Sequence, residues 1–312
     1  MSRPDDTAHA RPWWLLIPLL LLAGCGLAST PRPSASAVQG TFRLATFNVH
    51  FIDLDRADGP WSLRAWQRRR VSLDRAFKSL DADIVALQEA NAAARSGHRR
   101  RPGPQRAWLS SRNPGYGVVG GDSDGTPPYA QPVFYRTARF DALDGGWFQF
   151  SPRPGDPTSA GLGDTEPAHA SWARLRDRRN GRTLTLLNVH FHHRRRAPQD
   201  HAARLVAAFA APLIARGEAV LLAGDLNVRL ASPPVATMRA AGLRFLPTRE
   251  TTYHFNRGVN VLGAIDHIAH GPDFTALGPP RIHRDRFDGL WPSDHYPVSA
   301  ALAWTSMTKG PR

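Results

Sequence analysis

Several short apolar segments of this chain end in a side chain that is costly to bury. Each segment has the length and the alternating or β-branched composition of a strand, and a polar residue closes it. Because an unpaired buried carboxylate costs several kcal/mol, we expect these residues to converge on one rim of a sheet sandwich, where a cation or hydrogen bonds compensate them. The residues in question are Asn48, Glu89, His190, Asp225, Asn227, Asp266, Asp294 and His295.

The composition indicates a folded, positively charged protein. Apolar residues make up 42% of the 312-residue chain, which is enough for a core and excludes wholesale disorder. The 40 basic against 26 acidic residues give a formal net charge of +14, which indicates an anionic partner. Nucleic acid, a phosphorylated metabolite and a lipid head group all fit this charge. The single cysteine excludes an intramolecular disulfide and a cysteine-rich zinc site.

The amino terminus predicts a lipoprotein signal peptide. Residues 13–24 form an apolar run that is short for a membrane-spanning helix and suits the core of a signal peptide. The sequence from Leu22 to Cys25 resembles the lipobox of bacterial lipoproteins, in which cleavage precedes the cysteine and the cysteine carries the lipid. An ordinary secretory signal is the alternative. We favour the lipoprotein because the only cysteine stands where lipidation requires it, and several acyl chains give stable anchoring.

This interpretation divides the chain into four regions. They are a signal peptide at 1–24, a flexible tether at 25–40, one domain at 41–304 and a disordered tail at 305–312. We expect a monomer that is anchored by its lipid to the bacterial cell envelope. It would face the periplasm or the outer-membrane surface.

The pattern along the domain predicts many strands and a few helices. Strands are expected at 41–49, 83–88, 116–119, 133–135, 146–150, 172–176, 183–189, 218–223, 265–269 and 296–304. The turn Asn180-Gly181 predicts a hairpin between two of them. Helices are expected at 66–80, with Val71 on its apolar side, at 199–215 and at 234–241, and loops at 92–128 and 151–169. This order implies two sheets with flanking helices.

Taken in order, the polar motifs resemble those of the endonuclease/exonuclease/phosphatase superfamily, the deoxyribonuclease I-like proteins. The motifs are TFNVH, LQE, NVHF, GDLN, IDHI and SDHYPV, and they cover nearly all of residues 42–304. Residues 170–193 and the stretch TTYHFN look most like bacterial members described only as metal-dependent hydrolases. The resemblance implies an α/β (α+β) fold, a four-layer sandwich of two packed mixed β-sheets flanked by helices. It also implies a phosphodiesterase, nuclease or phosphatase that uses Mg²⁺ or Mn²⁺.

The resemblance assigns a metal region to three residues of this chain. Glu89 is the main ligand, and Asn48 beside it orients the phosphate and the water. Asp294 is the second acidic contribution. Carboxylates suit Mg²⁺, which keeps several waters and binds through one or two carboxylates and the substrate phosphate.

The resemblance also assigns catalytic roles. Asp225 orients or deprotonates the attacking water, and Asn227 holds the phosphate and the nucleophile. His190 and His295 donate to phosphate oxygens in the transition state. Asp266 accepts a hydrogen bond from His295, which fixes its tautomer and keeps it charged near neutral pH.

Substrate contacts are predicted from two further features. Tyr129 lies near the position where relatives place a phosphate-contacting tyrosine or carboxylate, and a packed aromatic is an equal alternative. Among three arginine triplets, whose default interpretation is a solvated face, Arg194, Arg195 and Arg196 follow His190 and are expected beside the rim, where they clamp phosphate. The triplet at 99–101 suits anionic lipid equally well.

Structural alternatives accompany these assignments. Asn48 alone suits a turn, and Glu89 alone suits a solvated helix start. His192 and His193 beside His190 fit a decorated loop or a transition-metal site. At the level of the whole chain, a non-catalytic basic module that binds nucleic acid or an anionic membrane is the alternative to an enzyme, and a structural envelope lipoprotein is a third. The complete set of motif residues favours the enzyme, but a fold does not define a substrate.

Overall fold

Strands outnumber helices in the part of the chain that the computed structural model describes, which is residues 40–93, 101–120, 130–156, 159, 161–162 and 168–305. The strands are β1 (Thr41–Asn48), β2 (Ile52–Asp53), β3 (Ile84–Gln88), β4 (Asn91–Ala93), β5 (Arg101–Pro102), β6 (Tyr116–Val119), β7 (Val133–Arg136), β8 (Phe140–Gln149), β9 (His169–Asp177), β10 (Thr183–His190), β11 (Ala219–Asp225), β12 (Arg244–Phe245), β13 (Asp266–His270), β14 (Phe274–Ala276), β15 (Arg281–Ile282) and β16 (Val298–Trp304). The helices are α1 (Leu63–Ser79), α2 (Pro104–Arg112), α3 (Arg196–Ala215) and α4 (Pro233–Ala240). None of these helices is long and apolar enough to cross a membrane.

Two large mixed sheets carry most of the strands. The first has the order β14-β16-β1-β3-β7-β6, with β15 also paired to β16, and the second has the order β12-β13-β11-β10-β9-β8. Each contains one parallel pair, β1 with β3 and β10 with β11, among antiparallel neighbours. The predicted hairpin joins β9 to β10. A small third sheet has the order β2-β4-β5.

Three buried apolar clusters arrange the sheets and helices in four layers. The first cluster lies between the two large sheets and includes Phe42 of β1 and Leu221 of β11. The second contains Phe77 of α1 and covers the other face of the first sheet. The third contains Val206 of α3 and Val235 of α4 and covers the other face of the second sheet. Central strands are therefore buried on both faces, and the predicted four-layer sandwich is confirmed.

Two buried amide side chains join the sheets near the carboxyl ends of their strands. Gln88 Nε2 donates to Asn188 Oδ1 at 2.7 Å. Asn188 Nδ2 donates in turn to the carbonyl oxygens of Leu87 and Gln131 at 2.8 and 3.1 Å. Both side chains are fully buried, which the fold tolerates because their polar groups are bonded.

The structure corrects two details of the sequence prediction. Residues 104–112, expected in a loop, form α2, and Pro104 stands in its first turn, where a missing N–H is harmless. Only Leu109 supplies a buried apolar side chain there, so the helical periodicity is weak. In α1, Val71 is exposed, and Arg69 takes the inward position three residues after Trp66.

Candidate active site

Polar residues from neighbouring strands meet at one edge of the sandwich, which we call the rim. Asn48 ends β1, Glu89 follows β3, and His190 and Asp225 end β10 and β11. His190 pairs with Asp225 in the parallel register. Because β13 runs antiparallel to β11, its first residue, Asp266, also pairs with Asp225. The alternation of apolar strands and polar strand ends therefore builds a continuous polar row.

The segment before β16 is fastened to the same rim. Ser293 Oγ donates to the Asn48 carbonyl oxygen at 2.7 Å. The His254 N–H donates to the Asp294 carbonyl oxygen at 2.8 Å. These bonds bring Asp294 and His295 to the end of β1, where both side chains are buried.

His295 lies between two buried carboxylates. Its Nδ1 is 2.9 Å from Asp266 Oδ2, and its Nε2 is 3.7 Å from Asp225 Oδ2. Burial alone would lower the pKa of His295, but Asp266 and Asp225 outweigh it and raise that pKa well above its ordinary value. The imidazole is therefore a cation near neutral pH, and its Nδ1–H donates to Asp266 Oδ2. This bond leaves Nε2–H directed toward Asp225.

Asp225 is the carboxylate on which the rim converges. Its Oδ2 accepts a hydrogen bond from Asn48 Nδ2 at 3.1 Å and lies 3.6 Å from His190 Nε2. Its Oδ1 accepts the Asn227 backbone N–H at 2.9 Å. Burial and the neighbouring Asp266 raise the pKa of Asp225 to about 6. Asp225 is thus ionised at neutral pH and more basic than an ordinary aspartate, which suits a general base.

Glu89 has a left-handed backbone with φ +58°, which is uncommon outside glycine and clusters at functional sites. The chain continues into β4, so the alternative of a helix start is wrong. Glu89 Oε2 accepts the Phe51 N–H at 2.9 Å, and Oε1 lies 3.8 Å from His190 Nε2. Burial would raise the pKa of Glu89, but the surrounding histidines and the Phe51 N–H lower it to about 2. Glu89 therefore stays ionised at any working pH.

His50, from the motif TFNVH, is buried beside Asp294, a position that the sequence does not reveal. Its Nε2 lies 3.8 Å from Asp294 Oδ2. Its backbone is also left-handed, with φ +62°. Burial lowers the pKa of His50, so the ring is neutral at neutral pH.

Arg69 is a second residue whose buried position the sequence does not predict. Its Nη1 donates to the carbonyl oxygens of Val49 and Pro292 at 2.9 and 2.8 Å, and its Nη2 donates to that of His50 at 2.7 Å. Burial lowers the pKa of Arg69 to about 10, so it stays charged at neutral pH. One guanidinium, which we call the Arg69 clamp, thus ties the turn after β1 to the segment that carries Asp294.

Tyr253 is a third residue whose position the sequence does not predict. Its ring packs on His295 with 4.8 Å between centroids, and its main chain forms an isolated antiparallel bridge with His295. Burial and the charges of Asp294, Glu89 and Asp225 raise the pKa of the phenol, so the hydroxyl stays protonated at neutral pH. The only sequence signal for it is the stretch TTYHFN.

The structure describes only some of the residues predicted to contact substrate or to carry lipid. Tyr129 and Cys25 lie outside the described residues. Arg194–Arg196 are exposed on the loop after β10 and at the start of α3. His192 also lies on this loop, and its Nδ1 accepts the backbone N–H groups of Arg194 and Arg195 at 3.1 and 3.0 Å. Its imidazole therefore shapes the loop that carries the triplet.

One group on the rim has ligand atoms close enough to hold a metal ion, and two further carboxylates belong to the same rim. In the described part of the chain, the ligand atoms of Asp225, Asp266 and His295 lie within 4.8 Å of one another. In that group, however, His295 Nδ1 is already bonded to Asp266 Oδ2 at 2.9 Å. Glu89, ionised throughout, and Asp294 fit a hard cation better. Such a cation keeps much of its water, so the two carboxylates need not be in contact.

A sandwich of two mixed sheets with acidic, amide and imidazole groups on one rim defines a hydrolase of the deoxyribonuclease I-like kind. The chain belongs to the endonuclease/exonuclease/phosphatase family, whose model matches residues 45–295. Members of this family are phosphoester hydrolases that generally use divalent metals. The superfamily predicted from the motifs is thereby confirmed.

Solved structures share the fold. An endonuclease/exonuclease/phosphatase from Bacteroides vulgatus is 25% identical with a TM-score of 0.69, over 85% of this chain and 99% of that one. A mannosyl-6-phosphatase from Bacteroides thetaiotaomicron is 22% identical with a TM-score of 0.67, over 84% and 100%. TDP2 from D. rerio, in complex with a single-strand DNA product, is 18% identical with a TM-score of 0.58, over 84% and 98%. Among curated protein sequences, none matches significantly.

Proposed function

We propose that the chain is a Mg²⁺-dependent phosphoric ester hydrolase, with Mn²⁺ as the alternative cation. The observation that carries this proposal is the position of Asp225, which lies against Asn48, His190 and His295 at once. A carboxylate with a pKa of about 6 beside a charged imidazole suits attack by water on a phosphate.

The proposed reaction assigns one step to each side chain. Asp225 takes a proton from the attacking water as the water oxygen bonds to phosphorus, and Asn227 holds that oxygen and the phosphate. His190 and His295 donate to the non-bridging oxygens as negative charge develops there. Asp266 keeps His295 oriented and charged. The bond from phosphorus to the leaving oxygen breaks, and that oxygen takes a proton from solvent.

Three residues would hold the cation in this proposal. Glu89 is the main ligand, with Asn48 and Asp294 beside it. The constant charge of Glu89 supports this assignment, because a protonated carboxyl group is a poor ligand. When bound, the cation would offset the charge of the phosphate and of the departing oxygen.

The substrate is proposed to be a phosphate ester on a nucleic acid, a phospholipid head group or a phosphorylated metabolite. The formal charge of +14 and the exposed triplet Arg194–Arg196, a few residues after His190, support an anionic substrate. One structural neighbour is a mannosyl-6-phosphatase and another holds a DNA product, so both monoesters and diesters belong in the test.

Turnover by the purified protein tests the activity. We expect hydrolysis of bis-p-nitrophenyl phosphate or p-nitrophenyl phosphate with Mg²⁺ or Mn²⁺, loss with EDTA, and recovery when the metal is restored. A panel of single-stranded DNA, duplex DNA, RNA, phosphoinositides, sphingomyelin and nucleotides then identifies the substrate. No turnover on any of them with either metal would favour the basic binding module.

The cellular location is proposed from the sequence. Residues 1–24 are the signal peptide, Cys25 carries the lipid, residues 25–40 are the tether, and residues 41–304 form a monomeric catalytic domain at the envelope. Cys25→Ser should move the protein from the membrane fraction to the soluble fraction, as judged by immunoblotting after fractionation. Unchanged fractionation of the variant would contradict the lipid anchor.

A further inference from the structure

One buried imidazole on the rim lacks hydrogen bonds. His50 is 1% exposed, and neither Nδ1 nor Nε2 has a hydrogen-bond partner among the described residues. An unpaired buried polar atom costs about 1–3 kcal/mol. Native proteins rarely keep such atoms without a reason, and a bound ion or water is the usual one.

Hydrogen bonds fix the main chain of His50, and an aromatic contact positions its ring. Its N–H donates to Asn48 Oδ1 at 3.0 Å, and its carbonyl oxygen accepts from Arg69 Nη2 at 2.7 Å and from Gln105 Nε2 at 3.1 Å. Its ring packs edge-on against Trp61, 5.8 Å between centroids. These contacts sustain the left-handed backbone, a conformation that persists only where its surroundings impose it. The position of the ring is therefore built into the fold.

The ring is directed at a carboxylate of the proposed metal region. The 3.8 Å from His50 Nε2 to Asp294 Oδ2 exceeds the reach of a hydrogen bond, about 3.2 Å. It is short enough for both atoms to bind one cation at roughly 2.0–2.2 Å each. The next residue, Phe51, donates its N–H to Glu89 at 2.9 Å, so one turn of chain positions both the imidazole and the main carboxylate.

We propose that His50 is a nitrogen ligand of the rim cation, bound beside Asp294, and that it biases the site toward first-row transition ions over Mg²⁺. Mg²⁺ prefers oxygen ligands and sheds its water reluctantly, whereas an imidazole nitrogen suits transition ions. This inference rests on the proposed function only in requiring a divalent cation at the rim.

The test measures metal binding on the full chain, apart from catalysis. Mn²⁺ and Mg²⁺ affinities are measured by calorimetry for the wild type, His50→Asn and His270→Asn, and Mn²⁺–nitrogen coupling is measured by pulsed electron paramagnetic resonance. Asn removes the imidazole and tolerates a left-handed backbone. His270 is the matched control, because it is buried at the opposite end of β13 from Asp266.

We expect His50→Asn to weaken Mn²⁺ binding by roughly 10- to 100-fold and Mg²⁺ binding much less, and to abolish the nitrogen coupling. His270→Asn should retain both the affinity and the coupling. Unchanged Mn²⁺ affinity, equal losses for both metals, or coupling that persists in His50→Asn would overturn the proposal. Should His50→Asn fail to fold, His50→Gln replaces it, and absence of coupling in the wild type is decisive by itself.

The same data separate this inference from the proposed function. A wild type that binds Mn²⁺ through His50 but turns over no phosphoester contradicts the hydrolase and supports the ligand. A wild type that turns over with metal but shows no nitrogen coupling supports the hydrolase and contradicts the ligand.

Discussion

The two halves of the rim differ in how their polar atoms are satisfied. In the His295 group, formed by Asp225, Asp266 and His295, the members bond to or face one another directly. In the Glu89 group, formed by His50, Glu89 and Asp294, backbone N–H groups and the Arg69 clamp hold the chain segments, while the ring nitrogens of His50 lack partners among the described residues. The first group is held mainly by contacts among its own side chains, with Asp266 Oδ1 unpartnered among the described residues, whereas both ring nitrogens of His50 in the second group lack a partner.

This contrast predicts that the two groups fail in different ways. Damage to the His295 group should remove turnover and leave cation binding intact. Damage to the Glu89 group, or to the clamp that supports it, should weaken cation binding and stability. Four measurements test whether the halves are separable in this manner.

The largest effect is expected in the His295 group. His295→Ala removes the charged donor beside Asp225 and should lower kcat by about 10²- to 10⁴-fold. Calorimetric Mn²⁺ affinity and the circular dichroism spectrum should stay near wild type. Asp141→Asn, which changes a partly exposed carboxylate on β8 paired with Arg176, is the control and should retain the rate. A near-normal rate for His295→Ala would remove the assigned role.

The second largest effect is expected in the Arg69 clamp. Arg69→Met leaves three buried carbonyl oxygens without their donor and should lower the free energy of unfolding by roughly 2–4 kcal/mol. Arg68→Met changes an exposed neighbour and should shift stability by only about 0.5 kcal/mol or less. Urea unfolding measures both variants. Equal shifts for the two would show that the clamp does not support the Glu89 group.

The pH dependence should separate the groups without a mutation. The pKa of Asp225 is raised to about 6, so the base is lost by protonation as the pH falls through 6. We expect kcat to fall about tenfold per pH unit below that value. The pKa of Glu89 is lowered to about 2, so this carboxylate stays charged there, and cation affinity should change much less between pH 7 and pH 5. If rate and cation affinity fell together with pH, the two groups would not be functionally separate.

The smallest effect is expected outside both groups. Arg194→Ala should raise KM for an anionic substrate by about two- to fivefold at low salt, because exposed ion pairs are worth about 0.2–1 kcal/mol. High salt should remove the difference. Arg204→Ala, an exposed change farther along α3, should leave KM unchanged. A KM effect that is insensitive to salt would point to a direct role in the reaction.

The sequence predicts most of the fold and the polar row, because most of the row residues stand at or next to an end of an apolar strand. Asp225 and Asp266 are examples, since they end and begin neighbouring strands. The residues that it misses act through distant parts of the chain. Arg69 looks like one of three surface arginines, yet its carbonyl partners lie 19, 20 and 223 positions away. Helix α2 escapes prediction because Leu109 is its one fully buried apolar side chain, with Trp108 only partly buried against the same cluster.

The hydrogen bond between Gln88 of β3 and Asn188 of β10, which joins the two large sheets, has a consequence for motion. Each sheet contributes part of the rim, so a shear of one sheet over the other would separate Glu89 from Asp225. Such sliding must break the bond from Gln88 to Asn188, whose side chains are both fully buried. We therefore expect this bond to resist sliding of one sheet over the other near the site. Native-state hydrogen exchange should find the backbone amides of β3 and β10 among the last to exchange.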